Sequence, residues 1–212
     1  MDVTVLSTKK LNVNQRELLL NKGIGLVEMN FIAIVPLKFE IGELPENLII
    51  TSKNAVKILL KHSRVEEMKQ KNIFCVGEKT AVFLEKHGFR VSKMANYGAN
   101  LASEIISNYK KEKFIFFCGR KRNAELPDQL KNAGVDVTEV EIYDTQLKPK
   151  KIDRSFEGVL FFSPSAVRSY CSKNNPGKSV AFCIGTTTAA EAKNFTNNII
   201  IHSYYHVKMI LK

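Results

Sequence analysis

The sequence predicts an α/β protein made of two similar lobes, each containing a parallel sheet covered by helices. Three observations lead to this prediction: short apolar strands alternate with amphipathic helical stretches, the strands are apolar without interruption, and the chain repeats itself once. Strands that are apolar on both faces are typical of parallel sheets buried between helices. The predicted strands cover residues 3–6, 48–50, 73–76, 114–117, 159–162, 180–184 and 199–201.

The helical stretches between these strands carry apolar residues at a spacing of three and four, which places them on one face of a helix. The two clearest faces consist of Ala55, Val56, Leu59 and Leu60, and of Ala166, Val167, Tyr170 and Cys171.

The repeat runs through most of the chain. The segment NKGIGLVEMNF, which starts at residue 21, aligns with NAGVDVTEVEI, which starts at residue 132 (132 − 21 = 111). TSKNAV at 51 aligns with FSPSAV at 162 by the same shift (162 − 51 = 111), and FCVGEKTA at 74 aligns with FCIGTTTA at 182 (182 − 74 = 108). One duplication of this length indicates two related lobes and excludes a solenoid, which needs several shorter repeats.

Each copy contains a long extended segment with prolines, VEMNFIAIVPLKFEIGELP at 27–45 and VTEVEIYDTQLKPKKIDRS at 137–155. We expect these segments to run side by side as a two-stranded connection between the lobes. Residues 1–35 and 151–212 then form lobe one, which holds both ends of the chain. Residues 38–148 form lobe two, and the chain crosses at 36–37 and 149–150.

Composition indicates a globular protein of the cytoplasm. Hydrophobic residues make up 44% and charged residues 25% of the chain, which is ordinary for a soluble protein. The first residues, MDVTVLSTKK, contain no apolar core of a signal peptide, and no stretch is long enough to span a membrane. We expect the four cysteines to be reduced, because they show no CxxC spacing and three of them lie in apolar strands.

Hydroxylated or small residues follow nearly every predicted strand. In a parallel sheet these positions meet at the carboxyl edge, where ligands bind, and helix N-termini there attract carboxylates and phosphates. A single Ser or Thr at such a position is usually only a helix cap. The repeated pattern in both halves predicts an anion-binding site. The segments are Ser7-Thr8, Thr51-Ser52, Gly77 to Thr80, Gly119-Arg120, Ser163-Pro164-Ser165 and Gly185 to Thr188.

The net charge of +11, from 32 Lys and Arg against 21 Asp and Glu, also favours an anionic ligand. Lys53 and Arg120 follow two of the strand ends, and we expect them to bind substrate. Nucleic acid is not expected as a partner, because the basic residues are scattered and the aromatic residues of RNA-binding motifs are missing.

Motifs for other chemistry are absent. The chain has no GxGxxG, no GxxxxGK[ST] and no Ser–His–Asp arrangement. His202 and His206 have the spacing of metal ligands on a helix but lack an acidic partner, so no metal site is predicted. A flavin protein could share the fold, yet no phosphate loop with flanking aromatic residues is present.

Several segments together resemble the uroporphyrinogen-III synthase family over nearly the whole chain. They are IITSKNAV (49–56), FCVGEKTA (74–81), the stretch from FFCGRKRN to VEIYDT (116–145), FFSPSAVRSY (161–170) and FCIGTTTAAEA (182–192). The resemblance implies two flavodoxin-like lobes joined by a two-stranded linker, with the active site in the cleft between them.

The resemblance also implies a reaction that needs no cofactor. The substrate is hydroxymethylbilane, a linear tetrapyrrole with eight carboxylates. Loss of its hydroxyl group leaves an azafulvene, which ring D attacks through its substituted carbon. The resulting spiro intermediate fragments and closes again as uroporphyrinogen III, with ring D inverted. The family further implies a monomer that receives its substrate by transient hand-over from hydroxymethylbilane synthase.

Residue roles follow from the same resemblance. Tyr143 matches a tyrosine beside the family's cleft, and we expect it to donate a proton to the departing hydroxyl or to orient it. An alternative role for Tyr143 is packing of its ring between the lobes. We expect carboxylates to be bound by the hydroxyl groups that match the family's cleft, which are Ser52, Thr80, Ser163, Ser165, Thr187 and Thr188.

The chain departs from the family at two turns. Ser7-Thr8-Lys9 stands where a Thr-Arg-Pro-like turn is common, and Ser52-Lys53-Asn54 replaces a Ser-Pro-Arg-like turn. An arginine clamp on a carboxylate is therefore not expected at these turns. The stretch after Ile201 leaves room for only a shortened final helix. The alternative function is a two-lobed, non-catalytic protein that binds a polycarboxylate or another anion.

Overall fold

The computed structural model describes residues 3–201. Its strands are β1 (Thr4–Ser7), β2 (Gly25–Glu28), β3 (Ile32–Pro36), β4 (Asn47–Ile50), β5 (Asn72–Val76), β6 (Val91–Ala95), β7 (Lys113–Gly119), β8 (Asp136–Leu147), β9 (Gly158–Phe161), β10 (Val180–Cys183) and β11 (Ile199–Ile201). Its helices are α1 (Val13–Leu20), α2 (Lys53–Leu59), α3 (Val65–Lys69), α4 (Glu78–Lys86), α5 (Gly98–Asn108), α6 (Glu125–Asn132), α7 (Pro164–Cys171) and α8 (Thr186–Ala192).

The chain divides into two units. The first unit consists of the described residues up to Ala33 and from Gln146 onward, and the second unit is Ile34–Thr145. The chain passes from one unit to the other within β3 and again within β8. The crossing points given by the sequence, 36–37 and 149–150, stay a prediction.

The first unit contains a five-stranded parallel sheet in the order β11-β10-β9-β1-β2. Neighbouring residues in a strand point to opposite faces, so each apolar strand supplies two cores. Leu6 and Phe161 pack in the core on one face, whereas Val5 and Leu160 pack in the core on the other. These strands read as continuous apolar runs because both faces are covered.

The second unit contains a six-stranded sheet in the order β3-β8-β7-β4-β5-β6. The strands β4 to β8 pair in parallel. Ile50 and Phe117 lie in the core with α2 and α4, while Ile49 and Phe116 lie in the core with α5 and α6. The edge strand β3 pairs with β8, and the amide of Leu37 donates to the carbonyl oxygen of Ile142 at 3.0 Å.

The sequence repeat corresponds to a repeat in the sheets. The order β6-β5-β4-β7-β8 in the second unit matches the order β11-β10-β9-β1-β2 in the first. The first copy supplies β1 and β2 to one unit and β4 to β6 to the other, and the second copy supplies β7 and β8 and then β9 to β11. Each unit is therefore built from parts of both copies.

The predicted α/β class with parallel sheets is confirmed. The predicted buried, reduced state is confirmed for Cys75, Cys118 and Cys183, which are free and buried in strands. Burial raises the pKa of the Cys75 thiol to about 11. Strand β6 was not predicted, because it is an edge strand in which Ser92 and Met94 are exposed and no apolar run forms.

Both sheets contain a switch point, where neighbouring strands continue into connections that lead in opposite directions. It lies between β1 and β9 in the first unit and between β4 and β7 in the second. The carboxyl ends of strands at such a point form a crevice that commonly binds ligands.

Candidate active site at the strand ends

In the second unit, the carboxyl ends of β4, β7 and β8 bring together Ser52, Gly119 and Tyr143. Gly119 pairs with Tyr143 in the parallel ladder, but Cys118 pairs with Glu141, so Ile142 forms a bulge in β8. The bulge changes the alternation of side chains, and both Ile142 and Tyr143 face the core beside α2. This irregularity directs the tyrosine toward Ser52.

The Tyr143 ring lies directly over Gly119. A Cβ atom built on Gly119 would be 2.5 Å from both Cε2 and Cζ of Tyr143 and 3.0 Å from its Oη. Such distances are shorter than any normal carbon contact, so only glycine leaves room for the ring. The amide of Arg120 also donates to the Tyr143 carbonyl oxygen at 2.9 Å and fixes the strand end.

The Tyr143 hydroxyl donates to Ser52 Oγ at 3.2 Å. Ser52 is the N-cap of α2, and its Oγ also accepts from the amide of Asn54 at 3.1 Å. A serine oxygen has two lone pairs and one hydrogen, and here both lone pairs are engaged. The Ser52 hydrogen therefore remains available to a further acceptor.

Burial raises the pKa of the Tyr143 phenol above its usual value, although the hydrogen bond with Ser52 acts in the opposite direction. The phenol is consequently protonated at neutral pH. A protonated, half-buried phenol beside a capped helix N-terminus is a suitable weak acid.

Two of the basic residues near these strand ends pair with glutamates. Arg120 Nε lies 3.0 Å from Glu141 Oε2. Arg122 pairs with Glu139, to which Lys131 also binds. The Glu139 carboxyl is held below its usual pKa because these two cations outweigh burial, which by itself would raise it.

Lys53 begins α2, next to Ser52, and is exposed. Its Nζ lies 5.5 Å from the centre of the Phe83 ring, within the range of a cation–π contact. Within the described part of the chain it forms no ion pair. Its charge is available to an anionic ligand.

Thr80 lies in the first turn of α4 and is only 8% exposed, with its side chain on the buried face of the helix. Gly77 precedes this helix with a φ of 82°, a conformation that favours glycine, and no side chain caps the helix. The amide of Thr80 donates to the Gly77 carbonyl oxygen at 2.9 Å, so the amides of Glu78 and Lys79, rather than the Thr80 hydroxyl, are the donors offered by this turn.

In the first unit, the corresponding edge contains Ser163 and Ser165. Ser163 is the N-cap of α7, accepting from the amide of Ala166 at 3.2 Å, and Pro164 follows in the first turn as the sequence indicates. Arg168 Nη2 donates to Ser165 Oγ at 3.4 Å, and the same guanidinium pairs with Glu191.

The three threonines of α8, Thr186 to Thr188, differ in exposure. Thr187 is exposed, whereas Thr188 is 2% exposed and packs beneath the helix with Ala189. The nearby hydroxyls of Ser7 and Thr8 are buried and donate to the carbonyl oxygens of Lys9 and Leu160. At this edge the hydroxyl groups of Thr186 and Thr187 are therefore exposed, and those of Ser163 and Ser165 belong to partly exposed residues.

Among residues 3–201, no cluster of three or more His, Cys, Asp or Glu side chains could hold a metal ion. His202 and His206, and the stretch proposed for a final helix, lie outside the described residues. In the same part of the chain, no helix has the length and apolar character needed to cross a membrane.

The sequence identified most of these positions but not the role of Gly119. The sequence does contain a signal for the role of Gly119. A glycine ends β7 directly before a basic turn, and a glycine in a strand often marks a close approach by another group. The partner in that approach, Tyr143, lies 24 residues away (143 − 119 = 24) and could not be inferred without the sheet order.

The fold and these residues define a class: a two-unit α/β protein whose parallel sheets end in hydroxyl groups and helix N-termini suited to an anionic ligand. The family model described as uroporphyrinogen-III synthase HemD matches residues 15–211. The chain therefore belongs to the uroporphyrinogen-III synthase family, as the sequence predicted.

Relatives agree with this assignment. The uroporphyrinogen-III synthase of Chlorobaculum parvum is 25% identical over 181 residues, covering 74% of this chain and 74% of the relative. The uroporphyrinogen-III synthetase of Helicobacter pylori has a similar fold, with a TM-score of 0.72 at 18% identity, covering 98% of this chain and 95% of that one. A mutant uroporphyrinogen III synthase from Thermus thermophilus gives a TM-score of 0.61 at 13% identity, covering 91% and 89%.

The protein is thus a cyclising lyase of tetrapyrrole (haem) biosynthesis, a uroporphyrinogen-III synthase. It converts hydroxymethylbilane to uroporphyrinogen III with inversion of ring D and loss of water. The alternative of a non-catalytic binding protein is not supported.

Proposed function

We propose that Tyr143 and Ser52 together deliver the proton that releases water from hydroxymethylbilane. The observation that carries this proposal is the hydrogen bond from the Tyr143 hydroxyl to Ser52 Oγ at 3.2 Å. Because Ser52 already accepts two hydrogen bonds, its own hydrogen points onward. The Ser52 hydrogen can pass to the leaving hydroxyl of the substrate, and the Tyr143 proton then takes its place on Ser52 Oγ.

This proton transfer balances the first step. The hydroxyl of the substrate leaves as water, the C–O bond breaks, and the pyrrole nitrogen supplies the electron pair that forms the protonated azafulvene, an azafulvenium cation whose charge the phenoxide balances. The Tyr143 phenoxide left behind is a base, and it can take back a proton when the macrocycle is completed. The enzyme contributes general acid catalysis here, an effect worth about 100-fold to 10,000-fold in rate.

The rest of the catalysis depends on how the enzyme positions the two ends of the bilane. Closure to the type III isomer requires that ring D attack through its substituted carbon, and an unguided bilane closes to the symmetric isomer. Holding two reacting ends in one geometry lowers the barrier without further catalytic groups. The protein can bind and orient the substrate through its eight carboxylates.

We assign carboxylate binding to the hydroxyl groups and cations at the strand ends. Ser52 and Lys53 in the second unit combine an onward-pointing hydroxyl with an unpaired cation. Arg120 can bind a substrate carboxylate once that carboxylate replaces Glu141 at its guanidinium group. In the first unit Thr187 supplies an exposed hydroxyl and Ser163 and Ser165 supply partly exposed ones. Thr80 and Thr188 take part through the first backbone amides of their helices.

We further propose that the enzyme acts as a monomer in the cytoplasm and receives the bilane by transient hand-over from hydroxymethylbilane synthase. The instability of the free bilane, which closes spontaneously, supports direct hand-over. The strongly positive net charge of +11 suits capture of an anionic substrate.

The test compares Tyr143→Phe with Tyr109→Phe. Tyr109 is a half-buried tyrosine of the same unit that packs edge-to-face on Phe74 after α5, at the opposite edge of the sheet. Freshly generated hydroxymethylbilane is supplied, and the products are oxidised and separated as isomers. We expect Tyr143→Phe to lower kcat for type III product by about 100-fold and Tyr109→Phe to leave it unchanged. Equal activity of the two variants would refute the role of Tyr143.

A further inference from the structure

A groove on the outer side of α2 and α4 begins beside Asn54, near the strand ends, and continues to His87 after the end of α4. It has a volume of about 840 Å³ and is lined by α2, the residues that follow it, the end of α4, and Phe39 in the loop after β3. This volume lies within the range of about 300–1,000 Å³ that is usual for small-molecule sites. The groove extends along α2 away from Ser52, over a helix length of about 10 Å between Ser52 and Leu59.

The walls of the groove are aromatic. The rings of Phe39 and His62 stack with centroids 5.2 Å apart and planes inclined by 21°. The rings of Phe83 in α4 and His87 just after it lie 4.4 Å apart with their planes inclined by 53°. Flat rings on both sides favour a planar aromatic ligand, which can stack on them over a large area.

The charge of the groove is entirely positive. None of its lining residues is an Asp or a Glu, and Lys57 and Lys61 lie on its rim one helical turn apart. Both lysines are exposed, and within residues 3–201 neither forms an ion pair. They are placed to meet carboxylates at the edge of a ligand whose ring system is inside.

The histidines add hydrogen-bond donors. The amide of Arg64 donates to His62 Nδ1 at 3.2 Å, so the hydrogen of the neutral ring is on Nε2 and can be donated to a carboxylate. His87 Nδ1 lies 2.7 Å from the carbonyl oxygen of Phe83, to which it donates. Both rings are thereby fixed in orientation by the backbone.

From this combination we propose that the groove is a second binding site. Its ligand is a metal-free porphyrin that carries carboxylates. Such a porphyrin is the planar, aromatic, oxidised form of the macrocycle that this enzyme makes. The product itself is a non-aromatic, puckered ring and fits flat walls less well. The groove binds the oxidised macrocycle by stacking on Phe39 and Phe83 and by ion pairs to Lys57 and Lys61. Neither Tyr143 nor Ser52 is among the residues that line the groove.

The test is a fluorescence titration of the full-length enzyme with metal-free uroporphyrin. We expect saturable binding that weakens about fivefold in the double variant Lys57→Gln/Lys61→Gln, as for the loss of two exposed ion pairs. The matched control is Lys110→Gln/Lys111→Gln, which removes the same charge from an exposed turn before β7. Phe39→Leu is a second variant that tests the stacking without a change of charge.

Several outcomes would overturn the proposal. They are absence of binding, equal weakening in the control, and a loss of type III synthesis in Lys57→Gln/Lys61→Gln, which would make the groove part of the substrate site. Binding of iron protoporphyrin alone, with an absorption change lost in His87→Ala, would also overturn it. The site stands independently of Tyr143, so a failure of Tyr143→Phe to affect turnover would leave this prediction unchanged.

Discussion

Tyr143 and Gly119 are in direct contact across the ends of β8 and β7, with the phenol ring occupying the space that any Cβ at position 119 would need. The contact holds the ring against the strand and directs its hydroxyl to Ser52. A residue without a side chain thus determines where the Tyr143 hydroxyl, the proposed proton donor, is placed.

The substitution Gly119→Ala should therefore displace the Tyr143 ring. A Cβ at 2.5 Å from Cε2 and Cζ cannot be accommodated without movement. A displacement of about 1 Å in a catalytic group can cost about 100-fold in rate, and we expect kcat for type III product to fall by that order. The cost in the free energy of unfolding should be about 1–3 kcal/mol.

The control for this variant is Gly42→Ala in the same unit, where a Cβ would meet no atom within 4 Å. Urea unfolding and the isomer assay are measured on both variants. If Gly119→Ala keeps full activity, the contact does not position Tyr143.

Ser52 caps α2, and substitution can separate this role from the proton relay proposed for its hydroxyl. Ser52→Ala removes both the helix cap and the hydroxyl, and should lower stability by about 1 kcal/mol in addition to lowering kcat. Ser52→Asn keeps a good N-cap but lacks the hydroxyl that relays a proton. We expect Ser52→Asn to be as stable as the wild type and as slow as Ser52→Ala, measured by urea unfolding and by the isomer assay. Recovery of activity in Ser52→Asn would show that only the cap matters.

Ionisation of Tyr143 should occur above the usual range for a tyrosine. Burial raises its pKa from 10.0, so the folded protein favours the protonated phenol. The stabilisation that this preference provides is present below pH 10 and is lost as the pH rises through the higher pKa of the folded state. The difference in phenolate absorbance between the wild type and Tyr143→Phe should therefore have a midpoint above pH 10. A midpoint at or below 10 would contradict the burial of the phenol.

Glu139 should make the second unit sensitive to acid. Burial opposes its ionisation, but Arg122 and Lys131 hold its pKa below 4.5. The stabilisation is present above pH 4.5 and is lost as the pH falls through the lowered pKa of the folded state. Glu139→Gln should remove about 1 kcal/mol at pH 7 and little at low pH.

The control is Glu43→Gln, which changes an exposed glutamate that forms no ion pair in the described part of the chain. Urea unfolding at several pH values gives the comparison. An equal effect of Glu139→Gln at pH 7 and at pH 3 would show that the ion pairs do not stabilise the unit.

The sequence predicted the elements whose signals are local. Apolar strands such as β4 and β9 and the capped turns at Ser52 and Ser163 follow from short patterns that each segment carries by itself. The edge strand β6 was missed because half of its residues face solvent.

Contacts between distant segments could not be predicted from such short patterns. The bulge that directs Tyr143, and the pairing of Arg120 with Glu141, depend on the register of β7 and β8. The pairing also shows that positive charge in the sequence is not the same as available charge, since among residues 3–201 Lys53 forms no ion pair and Arg120 does.

The most direct test of the account is a double-mutant cycle in the isomer assay with Tyr143→Phe, Ser52→Asn and the combined variant. If the two residues deliver one proton together, the combined variant should be no slower than the slower single variant, because each substitution already removes the relay. If the two losses multiply, Tyr143 and Ser52 act independently, and the proton relay is contradicted.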